Sequence, residues 1–198
     1  MDQIVARAMQ KWPNVPNVFG WLRLDRRGNW LVKAKNGTFE TIGNRALSEF
    51  IGRNYAADES GRWYFQNGAQ RVFVTLDYTP WVFRFADDIA SLVAQDDCAV
   101  TSIYSLLLDD LGGVLIDSQR GVGVLNDRDL PAFMERLANE NPDIAWEEVL
   151  LDPASSANFQ SVRFFGASVR LRQVESGSVA DRFAFVSHPK APLGEPDC

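Results

Sequence analysis

Seven residues have types and spacing that suit a stacking site: Trp21, Arg23, Trp30, Arg71, Phe73, Trp81 and Arg84. Trp21 and Arg23 are two apart, as are Arg71 and Phe73, so in extended chain each pair points to one side. A sheet face mixing indole rings and guanidinium groups can hold a flat or anionic ligand by stacking and forked hydrogen bonds. The competing reading makes the Trp rings core and lays the Arg stems over them. Arg163, Arg170 and Arg172 form a second patch, three guanidinium groups close together in an acidic chain. With Val169 and Leu171 facing a core, Arg170 and Arg172 point away from it. There they are either an anion or acidic-partner site or charges guarding a strand edge.

Signs of catalysis are sparse. The chain has no nucleophile elbow, phosphate-binding glycine loop or dinucleotide fingerprint. Gly121-Val122-Gly123 lacks a third glycine in place and reads as a turn before a strand. Acid pairs occur at Asp87-Asp88, Asp96-Asp97, Asp109-Asp110 and Glu147-Glu148. Acid–base work would need one of them beside an apolar wall, whereas adjacent loop acids are normally solvated. The single histidine, His188, sits in Ser187-His188-Pro189-Lys190, at the start of a tail read as flexible and lacking a fixed partner. With one His and two distant cysteines, Cys98 and Cys198, a His- or Cys-ligated zinc site cannot be assembled within one chain. The sequence therefore assigns no catalytic residue, metal or cofactor.

Composition narrows the partners. The 198 residues carry a net charge of −6, which argues against nucleic acid and anionic membrane as main partners. A small molecule or a protein partner is left, and the oligomeric state stays open. Hydrophobic residues make up 46% and charged ones 23%, so there is material for a core. Two cysteines are too few for a disulfide scaffold and imply thiols in a reducing compartment. Met1–Gln10 has no continuous apolar core, and no stretch approaches ~18 apolar residues, so the expected location is the cytoplasm.

The elements that must carry these residues come from a repeat. Asp25, Gly28 and Leu31 recur as Asp109, Gly112 and Leu115, 84 residues on. In each copy an apolar run meets an Asp-x-x-Gly turn and a second apolar run follows, the pattern of a hairpin. Asn44-Arg45-Ala46-Leu47 and Phe50-Ile51 recur as Asp127-Arg128-Asp129-Leu130 and Phe133-Met134, 83 residues on. Asn44 and Asp127 are N-cap types, Pro131 suits a first helical turn, and the apolar positions form one helix stripe. Strands then return at Gly61–Phe65, Arg71–Asp77 and Trp81–Phe85, and again at Val162–Phe165, Ser168–Val174 and Phe183–Val186. Ile4, Val5, Ala8, Met9 and Trp12 read as a short amphipathic helix that Pro13 stops.

The reading is α+β: two related repeats, each a β-hairpin, a helix and returning antiparallel strands, after a short N-terminal helix. The expected divisions are an N-terminal helix and linker over 1–19, repeats over 20–87 and 98–187, and a flexible tail over 188–198. The acid-flanked linker from Ala86 to Asp97 is expected to hold one helical turn or more.

Gly20 to Phe85 resembles the bacterial family known as domain of unknown function 1285. The matching residues are Trp21-Leu22-Arg23-Leu24, Gly28-Asn29-Trp30, Ile42, Arg45, Leu47, Phe50, Gly61-Arg62-Trp63-Tyr64-Phe65, Arg71, the strand to Asp77, and Pro80-Trp81. The resemblance implies repeated sheet-and-helix motifs and a ligand-binding or signalling role, with no catalytic activity attached. The chain departs from the family at Gly68-Ala69-Gln70, where Pro and an acid are usual, and at Val18-Phe19-Gly20, which lacks the usual Gly-Asp pair. The expected function is a binding or interaction module, one form of it sensing a small anionic ligand in signalling. The alternative is an enzyme of unfamiliar type using carboxylates and arginines on an acidic or phosphorylated substrate.

Overall fold

A computed structural model describes residues 1–12, 15–87, 89–146, 149 and 161–191. Pro13, Asp88, the Glu147-Glu148 pair and the end of the tail with Cys198 lie outside these residues. The chain divides into two compact units, Met1–Pro80 with Ala184–Cys198, and Trp81–Phe183.

The first unit opens with α1 (Gln3–Lys11), of which only Val5 is buried. Its expected stripe is mostly open, with Ile4 at 75% and Trp12 at 53% exposure. Six strands follow: β1 (Val18–Leu24), β2 (Trp30–Lys33), β3 (Phe39–Thr41), β4 (Tyr55–Ala57), β5 (Trp63–Asn67) and β6 (Gln70–Leu76). They form one sheet in the order β3-β2-β1-β6-β5-β4, with β6 parallel to β1 and every other pair antiparallel. The helix α2 (Arg45–Arg53) links the two halves of the sheet, and Asn44 caps it by accepting from the Leu47 amide at 3.1 Å. Phe50 meets Phe65 edge-on at 5.4 Å and Ile51 is buried, whereas Leu47 is left exposed.

The second unit contains β7 (Trp81–Phe85), β8 (Leu92–Ala94), β9 (Ala99–Val100), β10 (Ile103–Asp109), β11 (Val114–Ser118), β12 (Gly121–Leu125), β13 (Ser161–Phe164) and β14 (Ala167–Val174). Their order is β13-β14-β10-β11-β12-β7-β8-β9. The strands β14 and β10 are parallel, as β6 and β1 are. Helix α3 (Leu130–Glu140) packs beside β13, and Phe133 meets Phe164 at 5.2 Å. The run β10-β11-β12-α3-β13-β14 thus repeats β1-β2-β3-α2-β5-β6 in chain order and in sheet order. The fold is α+β with two related repeats.

Turn chemistry explains why the repeat survives. Asp25 and Asp109 each close a hairpin whose fourth residue, Gly28 or Gly112, has φ of 83° or 80°. A side chain there would be strained, so glycine fixes the turn.

Several expectations change. Trp81–Phe85 pairs with β12 and belongs to the second sheet, so the first repeat ends at Pro80. The linker holds the strand β8 instead of a helical turn, because Leu92 and Ala94 alternate inward on that sheet. Asn126, not Asp127, caps the 3-10 turn before α3, accepting from the Arg128 amide at 3.1 Å. Phe183–Val186 is no strand of the second unit. A short helix α4 (Val179–Arg182) precedes it, and the chain from Ala184 returns to the first unit. There the Val186 amide donates to Gly61 O at 2.9 Å, and the Leu76 amide donates to Ser187 O at 2.8 Å. Pro189 is buried and Ala191 packs on Phe19, Tyr64 and Phe73, so residues 188–191 of the expected flexible tail are held in place.

Candidate functional site

The aromatic and arginine residues of the first half divide between two sheets. Arg23 pairs with Thr75 in register, so Trp21, Arg23, Arg71 and Phe73 share one face of the first sheet. That face is largely covered, with Trp21 left 46% exposed. Phe73 stacks on Phe19 at 4.6 Å and Ala191 closes over them. The Arg71 guanidinium lies 4.7 Å over Tyr64, and Arg23 lies 4.6 Å over Phe39 while its Nε meets Asp77 at 3.1 Å. Burial pushes the Asp77 carboxyl up, against the pull of the Arg23 charge. Trp30 pairs with Leu24 and so faces the opposite side, buried edge-on to Tyr55 at 5.1 Å. Trp81 and Arg84 stand in the second unit, where Arg120 lies 4.1 Å over the buried Trp81 ring and Arg84 is bonded to Asp97. The seven do not converge. Most are core or arginines spent on neighbours.

The second patch is built differently. Val169 and Leu171 are buried, so Arg170 and Arg172 project to the other face of the sheet. In register, Arg170 stands between Ser161 and Ser105, and Ser105 stands beside Asp117. One row across four strands therefore reads Ser161, Arg170, Ser105, Asp117, with side chains on a common face. Ile103 pairs with Ser118 and Ser105 with Asp117, so Tyr104 is an extra residue on its strand. Such a bulge turns its side chain, and Tyr104 comes to line the same hollow as Ser105.

Two open hollows share Arg170 and Arg172. One, of about 590 Å³, is lined by these two with Gln173 and Arg182. The other, of about 490 Å³, adds Tyr104, Ser105, Asp117, Ser161 and Ser168. Burial pushes the Asp117 carboxyl above its ordinary value, while the charges of Arg172 and Arg182 and the Ser118 amide pull it back. Arg163 is exposed and lines neither hollow; its backbone is held by the Asn141 side chain at 2.7 and 2.9 Å. Chemically the first hollow is lined by guanidinium groups, which are able to donate forked bonds to phosphate or carboxylate oxygens. The second offers hydroxyl donors and acceptors beside one carboxylate.

The sequence reading found Arg170 and Arg172 and missed Arg182, Ser105, Ser161, Ser168, Tyr104 and Asp117. The one local signal was polar residues at alternate strand positions. Another cavity, of about 790 Å³, lies in the second unit between Leu108, Val114, Leu130, Met134, Val149 and Val174, with Asp110 and Glu175 among its lining. Among the described residues no group of three His, Cys, Asp or Glu side chains could hold a metal ion, and no helix is long and apolar enough to cross a membrane.

No curated protein matches the chain. Two solved structures are similar to it, both of DUF1285 family proteins. That from Silicibacter pomeroyi DSS-3 is 15% identical, with a TM-score of 0.45, over 69% of this chain and 85% of the other. That from Shewanella baltica OS155 is 13% identical, with a TM-score of 0.41, over 58% of this chain and 90% of the other. The model of the DUF2944 family, described as "Protein of unknown function (DUF2946)", matches residues 1–190, and the chain belongs to that family.

Proposed function

We propose that this protein is a cytoplasmic, non-enzymatic binding module that takes a small anion in signalling, with Arg170, Arg172 and Arg182 as its ligands. The observation that carries the reading is that these three arginines, two from a strand and one from a helix, line one hollow of an acidic chain. The comparison between repeats supports it. Counted from the shared turns, Ser105 corresponds to Trp21, and the row holding it corresponds to Tyr64, Phe73 and Trp21 in the first sheet. Tyr64 and Phe73 there are packed beneath Ala191, whereas the second copy carries Ser and Arg around open hollows. The exposed Cys98 thiol fits a reducing compartment.

Titration calorimetry of the full chain with inorganic phosphate tests the reading. Saturable binding is expected, weaker at about 300 mM salt than at about 50 mM because exposed charge is screened. Each charge-assisted bond is worth ~1.5–3 kcal/mol, so Arg170→Ala or Arg182→Ala should cost about 10- to 100-fold in affinity. Equal affinity in wild type and both variants would remove the proposal.

One observation favours the enzymatic alternative, namely the raised Asp117 carboxyl beside Arg172 and Arg182. It makes Asp117 a candidate general acid on a phosphorylated substrate. The two readings separate on Asp117→Asn: an enzyme loses turnover of a phosphate ester while still binding phosphate, and a binding module shows no turnover in either form.

A further inference from the structure

We infer that the ligand is a phosphate monoester of a polyhydroxyl compound, a sugar or polyol phosphate, an inference that rests on the anion site proposed above. The two hollows differ in chemistry yet share Arg170 and Arg172, so one molecule can occupy both. The guanidinium hollow of Arg170, Arg172 and Arg182 suits a dianionic phosphate, whose several oxygens accept forked donors. The adjoining hollow carries three serine hydroxyls and the Asp117 carboxylate, groups that exchange hydrogen bonds with an organic hydroxyl.

Size and charge decide between ligands. The row from Ser161 to Asp117 crosses three inter-strand spacings, ~14 Å at ~4.8 Å each, which is longer than a lone phosphate. A ligand that spans the row therefore carries an organic part beside its phosphate. A dicarboxylate would bring its second charge against Asp117, where like charges repel, whereas a hydroxyl group donates to that carboxylate. Tyr104 is 57% exposed at the edge of the same hollow, turned there by its bulge. An exposed phenol ring beside a hydroxyl-binding hollow offers an apolar surface for the carbon face of a sugar ring. Ser161 and Ser168 hold each other through their hydroxyls, which keeps both on the site rather than free to turn away.

The test is calorimetric, on the full chain, with ribose 5-phosphate, glycerol 3-phosphate, inorganic phosphate and free ribose. Ribose 5-phosphate should bind about tenfold or more tighter than inorganic phosphate, since one bond to Asp117 and further ones to serines are added. Ser168→Ala should reduce that advantage, and Asp117→Asn should erase it from the other side by strengthening inorganic phosphate, since a negative charge beside Arg172 and Arg182 is removed. Arg182→Ala should weaken both ligands by a similar factor. Ser168 is exposed and its replacement is small, so a matching thermal midpoint confirms that the variant is folded. If ribose 5-phosphate and glycerol 3-phosphate bind no tighter than phosphate, the polyol inference falls and the anion site stands. If no phosphorylated compound binds, both fall. Free ribose binding as tightly as its phosphate would overturn both as well.

Discussion

Asp25 and Asp109 occupy equivalent positions in two different sheets and make the same bonds. Each Oδ1 accepts from the amides two and four residues on, Arg27 and Asn29 at 2.8 Å for Asp25, Leu111 and Gly113 at 2.9 and 2.6 Å for Asp109. Asp58 repeats the arrangement between β4 and β5, accepting from Ser60 and Arg62 at 3.0 and 2.9 Å. The motif spans five residues and gives two of their amides an acceptor.

Burial sets how much each copy matters. Asp109 is 7% exposed, whereas the bonds of Asp25 are at the surface. Asp109→Ala should destabilise by ~1–3 kcal/mol, because partly buried bonds to two amides are lost, and Asp25→Ala by less. Urea midpoints at unchanged slope measure both. Equal losses would mean that burial does not weight the turn.

Gly123 stands on Phe83. A Cβ at this position would lie 2.4 Å from Phe83 Cε2, and Phe83 is fully buried. Gly123→Ala should therefore cost ~1–3 kcal/mol through overpacking. Adding Phe83→Leu should recover part of that loss, which a double-mutant cycle reads as coupling. Strict additivity would show that the contact is not the cause.

Gly61 holds the returning C-terminal segment. Its φ is 74°, and a Cβ would lie 2.2 Å from Ala184 O. Gly61→Ala should strip hydrogen-exchange protection from the Val186 and Leu76 amides, which form the bonds at that seam. Gly37 has a φ of 86° with nothing within 4 Å of its Cβ position, so Gly37→Ala is the control for backbone strain alone. Equal loss of protection in both variants would separate the seam from Gly61.

Asp117 gives a pH signature. The charged groups facing it are Arg172 of β14 and Arg182 of α4, and burial outweighs them, so its folded-state carboxyl is raised above the ordinary 3.8. The folded protein then holds that proton more tightly than the unfolded chain, and ionisation costs stability. The cost is complete at pH values above the folded-state value and vanishes below the unfolded one. Asp117→Asn should be more stable than wild type at neutral pH, with the gap closing as pH falls towards about 4. A gap that stays constant across this range would contradict the assignment.

Local grammar was readable in the sequence because local bonds enforce it. The Asp-x-x-Gly turns, the Asn44 cap and the early Pro131 of α3 each act within a few residues. Alternation along β14 placed Arg170 and Arg172 together for the same reason. What was missed depends on register and return. Nothing near Arg182 connects it with Arg170, since only the path of the chain through α4 brings them to one hollow. Trp30 and Phe73 are strand aromatics of the same kind as Trp21, and pairing alone decides which face each one takes. Asp96 shows the same limit: a loop acid by sequence, it is bonded to Arg120 and nearly buried, so adjacency in a loop did not keep it solvated.

The seam at Gly61 also sets an order of events during synthesis. The amide of Leu76 and the carbonyl of Gly61 find their partners at Ser187 and Val186, more than a hundred residues later. A nascent chain leaving the ribosome can build the second sheet from residues 81–183 while the first remains unsealed over Phe19 and Phe73. The half translated first is the half finished last.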